Sequence, residues 1–194
     1  MVTVQTIADI LERIAPKRYA EDWDNPGLLV GSPDAEVRNI VVCLDVSADV
    51  IRQAVHEQAD LIVSHHPLLF HGQKAVRTDA PTGRLIALLI KHDIASFAAH
   101  TNLDIAAGGV NDVLAETLGL ADVSVLDPIG RDAQGRPYGL IRTGMVQAQS
   151  LAAFAAFVRS ALGCPGLRFA DAGRPVRRVA VGEPEAGAAE RRSY

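Results

Sequence analysis

The chain has 194 residues, 48% apolar and only 5% aromatic, enough for one sizeable domain or two small lobes with cores of Val, Ile, Leu and Ala. A formal net charge of −4, with no basic stripe interleaved with aromatics ahead of the C-terminal segment, argues against a nucleic-acid duplex as partner. No run approaches the roughly 18 apolar residues that span a membrane, no signal-peptide pattern opens the chain, and Cys43 and Cys164 form no CxxC pair, so the expected location is the reducing cytoplasm.

In chain order, "TVQTIADILERIAP" places Ile7, Ile10, Leu11 and Ile14 on one helical face, and Pro16 ends that helix. "EDWDNPGLLVGSP" reads as turn, brief edge strand, turn. "NIVVCLDV" (Asn39–Val46) is a β-branched apolar run of the kind covered on both faces, and Ser47 can cap a helix with Val50, Ile51, Ala54 and Val55 inward. "DLIVS" (Asp60–Ser64) is a second such strand. After a loop, "TGRLIALLIKHD" is a helix burying Leu85, Ile86, Leu88 and Leu89. "IASFAA" (Ile94–Ala99) is a third strand, and "GGVNDVLAETLGL" is a helix closed by Gly119. Strands alternating with helices imply βαβ crossovers and an α/β fold with a mostly parallel sheet flanked by helices. "DPIGRDAQGRP" (Asp127–Pro137) reads as a lobe boundary. Beyond it come a strand in "YGLIRTGMV", a helix capped by Ser150 with Leu151, Phe154, Val158 and Leu162 in one stripe, and short strands "GLRFAD" and "VRRVAV".

Ligands bind parallel sheets at the carboxyl ends of the strands. His65 and His66 of "LIVSHHPLLF" follow the second strand, and "HTNLD" (His100–Asp104) follows the third. If these strands are neighbours, about 5 Å apart, imidazoles and a carboxylate gather in one place. Nitrogen and carboxylate donors suit Zn, Mn, Fe and similar divalent ions. Two imidazoles leaving an irregular strand end ahead of Pro67 can splay toward two neighbouring ions, with Asp104 between them. Plainer alternatives stand beside this one. A His-His pair can be a loop, His100 a hydrogen-bonded cap, and Asn102 and Asp104 an Asx-turn. Common placement at consecutive strand ends favours the metal site. "WDNPGLLVG" has a plain reading as a turn before an edge strand. Asp45 is either a helix N-terminal carboxylate or a wall of the cleft. His56, His71 and His92 read as surface residues, with His71 near enough to line the site. No Walker loop, GxGxxG, GxSxG or Cys-His nucleophile pair is present.

Taken together, "WDNPGLLVG", "VVCLDVS", "LIVSHHPLLF" and "AAHTNLDIAAGGVNDVLAETLGL" resemble, in this order and spacing, the Nif-three-like family of GTP cyclohydrolase I type 2 homologues. The resemblance runs from Trp23 to about Leu120, and more loosely to Val181. It implies two α/β lobes with a dinuclear metal site in the cleft between them, and a ring-shaped homo-oligomer, often a hexamer. It also implies His65, His66 and Asp104 as metal ligands, and His100 as a site-lining group that orients or shuttles protons and can reach a metal. The activity implied is that of a metal-dependent hydrolase on a nucleotide-like or phosphorylated small molecule. The alternatives are a non-catalytic metal-binding scaffold or regulator acting through its ring, and a structural metal tying loops together.

The family pattern also supplies a His and a Glu from a later Gly-His-x-x-(Thr/Ser)-Glu motif. "GEPEAGAAERRSY" contains no His, and its Glu183, Glu185 and Glu190 match no family ligand. The expectation is therefore a truncation or frameshift near Gly182, with a first lobe over 1–127, an incomplete second lobe over 128–181 and an aberrant tail over 182–194.

Overall fold

The computed structural model describes residues 1–182. The chain divides into two compact units, Met1–Ala106 and the stretch from Ala107 onward. The division precedes the boundary expected near Asp127, because the helix and strand that follow Ala107 pack onto the later strands of the second unit.

The first unit is α/β. Its elements are α1 (Val4–Ile14), β1 (Gly27–Val30), β2 (Ile40–Cys43), α2 (Ala48–His56), β3 (Leu61–Ser64), α3 (Pro81–Lys91), β4 (Ala95–Ala98) and the short α4 (Thr101–Ile105). The sheet order is β1-β4-β3-β2. β2, β3 and β4 run parallel, with Ile40 opposite Leu61 and Leu61 opposite Ala95. β1 is antiparallel to β4. Reciprocal bonds of 3.3 Å between Thr3 and Thr6 start α1, and Ser47 Oγ accepts from Val50 N–H to start α2. Pro81, which needs no N–H partner, opens α3.

Period-two alternation divides the core between the two faces of the sheet. Ile62 packs with Ile51 and Ala54 of α2 and Ile86 and Leu89 of α3. Its neighbour Leu61 packs on the other face with Val4 of α1, Ala95 and Phe97. At the end of β1, a Cβ on Gly31 would lie 2.8 Å from the Ala95 Cβ, and φ there is +105°, so both sterics and backbone require glycine.

Two expectations are corrected. β2 is an edge strand rather than one covered on both faces: Val41 and Cys43 pack inward, while Ile40 and Val42 face solvent, Val42 at 78% exposure. α1 buries Val4, packs the half-buried Ile7, Ala8 and Leu11 against the core, and leaves Ile10 and Ile14 exposed.

The second unit contains α5 (Val110–Thr117), β5 (Ala121–Leu126), the hairpin β6 (Gly130–Arg131) and β7 (Pro137–Tyr138), β8 (Ile141–Gln149), α6 (Leu151–Ala161) and β9 (Val176–Val181). Its sheet is antiparallel, in the order β5-β8-β9. "GLRFAD" forms no strand, and its Leu167 and Phe169 are exposed. The segment read as a boundary instead carries the β6–β7 hairpin. Of the expected tail, only Gly182 lies among the described residues. No helix among the described residues is long and apolar enough to cross a membrane.

One polar contact anchors α5 to β8. Arg142 is almost fully buried; its Nε donates to Asp112 Oδ1 and its Nη1 to Gly139 O at 2.6 Å. Removing the carboxylate takes a counter-charge away from a buried guanidinium. Asp112→Ala should therefore lower unfolding free energy by roughly 3 kcal/mol in chemical denaturation, whereas Asp171→Ala in the exposed 163–175 loop should change it by less than about 0.5 kcal/mol.

Candidate metal centre

Parallel register determines where the candidate residues emerge. Cys43, Ser64 and Ala98 form one rung across β2, β3 and β4. Asp45, His65, His66 and His100 each follow that rung by one or two residues. The ladder continues past the strands: His65 N–H donates to Cys43 O, His66 N–H to Leu44 O and Ala99 N–H to Ser64 O, at 2.9–3.1 Å. Ser64 Oγ donates to His66 O at 2.9 Å, which bends the chain toward Pro67. The adjacent histidines therefore do not diverge to opposite faces as they would on a regular strand. Their rings are 5.1 Å apart, and each lies within 5.6 Å of the His100 ring.

The three imidazoles each offer a ligand nitrogen within 4.8 Å of the others. Every Nδ1 faces an oxygen. His65 Nδ1 lies 2.9 Å from Ala99 O, His66 Nδ1 2.8 Å from Asp45 Oδ1, and His100 Nδ1 2.8 Å from Asp24 Oδ1. A backbone carbonyl only accepts, and so does an ionised carboxylate, so the proton belongs on each Nδ1 and the lone pair on Nε2. This is the arrangement by which outer oxygens fix metal-binding imidazoles. Asp104, on α4 and fully buried, places Oδ1 3.6 Å from His65 Nε2. Two ligand atoms each about 2.1 Å from a tetrahedral ion lie about 3.4 Å apart, so this spacing admits a shared cation. The cluster of three imidazoles could thus hold a metal ion, and its nitrogen donors, with the Asp104 carboxylate beside His65, suit divalent ions of the Zn, Fe or Mn type.

The sequence did not point to Asp24 as part of this centre. Antiparallel pairing sets Gly27 opposite Ala98, which carries the loop ahead of β1 to the end of β4. There the fully buried Asp24 carboxylate accepts from Thr101 N–H at 3.1 Å and Thr101 Oγ1 at 2.6 Å, besides facing His100. Burial pushes the Asp24 carboxyl up. Hydrogen bonds from His100, Thr101 and Asn25 N–H, with attraction to His100, outweigh burial and hold it below the usual carboxylate range. Asn102 is a structural tie, accepting from His100 N–H at 2.8 Å and donating to Ala15 O at 2.7 Å. Asp45 proves to face His66. Burial, then the charge of Asp45, push the Cys43 thiol up, so it is a poor thiolate. His71 is exposed and packs its ring on Phe70, 4.9 Å away; His56 and His92 are exposed.

A sequence profile of the Duf34/NIF3 (NGG1p interacting factor 3) family matches residues 2–190. A Bacillus subtilis GTP cyclohydrolase 1 type 2 homolog is 47% identical over 131 residues, covering 68% of this chain and 35% of that protein. A Clostridium perfringens protein of the same name is 35% identical over 176 residues, covering 90% of this chain and 66% of that protein. The matched segment thus spans about a third of the first relative and two thirds of the second. Among solved structures, a Bacillus cereus protein related to NIF3 superposes with a TM-score of 0.89 at 26% identity, covering 96% of this chain and 78% of that one.

Asp24→Asn keeps the volume and removes the charge that orients His100. Zinc affinity, measured by competition with a chromophoric chelator, should fall about 10- to 100-fold while the far-ultraviolet circular dichroism spectrum is unchanged.

Proposed function

The chain belongs to the Duf34/NIF3 family, and on that premise we propose that it holds divalent metal at His65, His66 and Asp104 and serves as a metal-dependent hydrolase on a nucleotide-like or phosphorylated small molecule. The observation that carries this reading is that three imidazoles, each anchored at Nδ1 by an oxygen, offer ligand nitrogens within 4.8 Å of one another, with the buried Asp104 carboxylate 3.6 Å from His65 Nε2. Bound there, a divalent ion supplies a Lewis acid that polarises the scissile group and acidifies water.

The chain's own residues do the rest. The Ala99 carbonyl fixes the ring of His65, and Asp45 steadies the more exposed His66. Asp104 adds negative charge in a fully buried position. His100 is the proton carrier: the anionic Asp24 at its Nδ1 stabilises a positive imidazole, so Nε2 can take and return a proton. We further propose that two ions share the donors of His65 and His66, and that copies of the chain assemble into a ring, a hexamer in the simplest case. The apolar Ile40 and Val42, exposed along β2, and Leu44, exposed just beyond it, support assembly, since burial between copies removes them from water. They also favour the second reading, a metal-binding scaffold that works through its assembly.

Metal analysis of the purified chain, with zinc, iron and manganese, tests the first step. Zinc at about 100 times its Kd should stabilise the fold by about 2.7 kcal/mol, read as a rise in Tm that EDTA reverses. His65→Ala and Asp104→Ala should abolish that rise and any hydrolysis across a panel of nucleotides and phosphoesters. Stoichiometric metal without turnover would favour the scaffold, and no bound metal with no change in Tm would refute the site.

A further inference from the structure

We infer that Trp23 and Phe70 form a stacking wall for a planar heteroaromatic ring of the nucleobase kind, beside the three imidazoles. The inference deepens the metal-centre reading and relies on it for the polar end of the ligand. Trp23 precedes Asp24, whose carboxylate is fully buried, yet Trp23 itself leaves 38% of its surface in solvent. Its ring centroid lies 5.7 Å from that of Phe70, with the planes 53° apart. Both rings lie 6.2 Å from His100, which stands edge-on to each at 77° and 84°. An apolar pair therefore borders a polar centre.

The wall is held in place before anything binds. Asp24 anchors the Trp23 loop through His100 and Thr101. Asn25 Nδ2 donates to Leu69 O at 2.6 Å, which ties that loop to the residue next to Phe70. His71 packs against the Phe70 ring from its own side. Aromatic side chains fixed in this way bind a flat π-system with little loss of side-chain freedom, and every base has a π-face to offer. A sugar or phosphate without an aromatic ring offers no π-face to stack on the same surface, so the wall favours the aromatic part of a ligand and leaves the charged part to the imidazole cluster.

Trp23 is the sole tryptophan of the chain, so its fluorescence reports on the wall directly. Adenosine and cytidine monophosphates should quench it saturably, and ribose 5-phosphate should not. Phe70→Leu, which keeps apolar bulk, and Phe70→Ala should each weaken adenosine monophosphate binding at least about fivefold, the lower end for loss of a base–aromatic contact, with bound zinc per chain unchanged. The wall is refuted if zinc-loaded protein shows no saturable quenching by either nucleotide, if ribose 5-phosphate binds equally well, or if Phe70→Leu binds like the unaltered chain. Zinc binding without quenching overturns the wall alone. Quenching without zinc binding supports the wall and overturns the metal reading.

Discussion

The rung formed by Cys43, Ser64 and Ala98 is the constraint on which the site depends. Because β2, β3 and β4 are parallel and in step, residues at equal distances beyond the rung arrive together. Three separate stretches of sequence thereby deliver Asp45, the His65–His66 pair and His100 to one edge of the sheet. A one-residue slip of β3 against β4 would turn Leu61 and Ile62 to the wrong faces, out of two different cores. The apolar alternation that stabilises the first unit therefore also sets the spacing of its imidazoles, so that packing on α1 and on α2 and α3 enforces the geometry of the polar end.

That polar end is costly to bury. Asp104, Thr101, Asn102 and the Asp24 side chain are almost wholly out of contact with water. A carboxylate in such surroundings survives only with donors or cations around it. Asp24 has them in Thr101 and His100, and its depressed pKa is the result. Asp104 lies against His65 Nε2, the side of the ring whose lone pair is implied by Nδ1–H facing the Ala99 carbonyl. In the proposed metal centre a shared cation would lie between these two atoms.

Much of this was legible in the sequence, and the reasons differ by residue. The three strands and the helices after them announce themselves by β-branched runs and by 3.6-residue periodicity, and His65, His66 and Asp104 stand out because strand ends in parallel sheets bind ligands. Asp24 was hidden because its place depends on β1 running antiparallel to β4, which no local pattern reports. β2 was misjudged because a β-branched apolar run looks the same at an edge as in the centre; only the strand order distinguishes them. β5 (ADVSVL) is a short alternating segment whose pairing is set by tertiary contacts with β8, and the β6–β7 hairpin lies in polar, Gly- and Pro-rich sequence closed by the turn at Asp132–Arg136.

The three imidazoles are not held with equal firmness, and that inequality bears on what each can do. His65 is fixed by a backbone carbonyl, Ala99 O, which is itself part of the ladder beyond β4. No rotamer change of a partner side chain can release it. His100 is fixed by Asp24, a buried carboxylate with Thr101 as further partner, so ring and anion move as one unit and share any charge that develops. His66 is fixed by Asp45, whose side chain is two-thirds exposed and competes with water for the same bond. A rigid ligand, a charge-coupled ring and a loosely tethered ring form a graded set. In the proposed metal centre, tight ion retention would fall to His65 with Asp104, proton handling to His100 with Asp24, and adjustment of the coordination sphere to His66. The order of firmness follows from the kind of oxygen each Nδ1 meets, backbone, buried carboxylate or exposed carboxylate, and so is set by the fold as much as by the histidines.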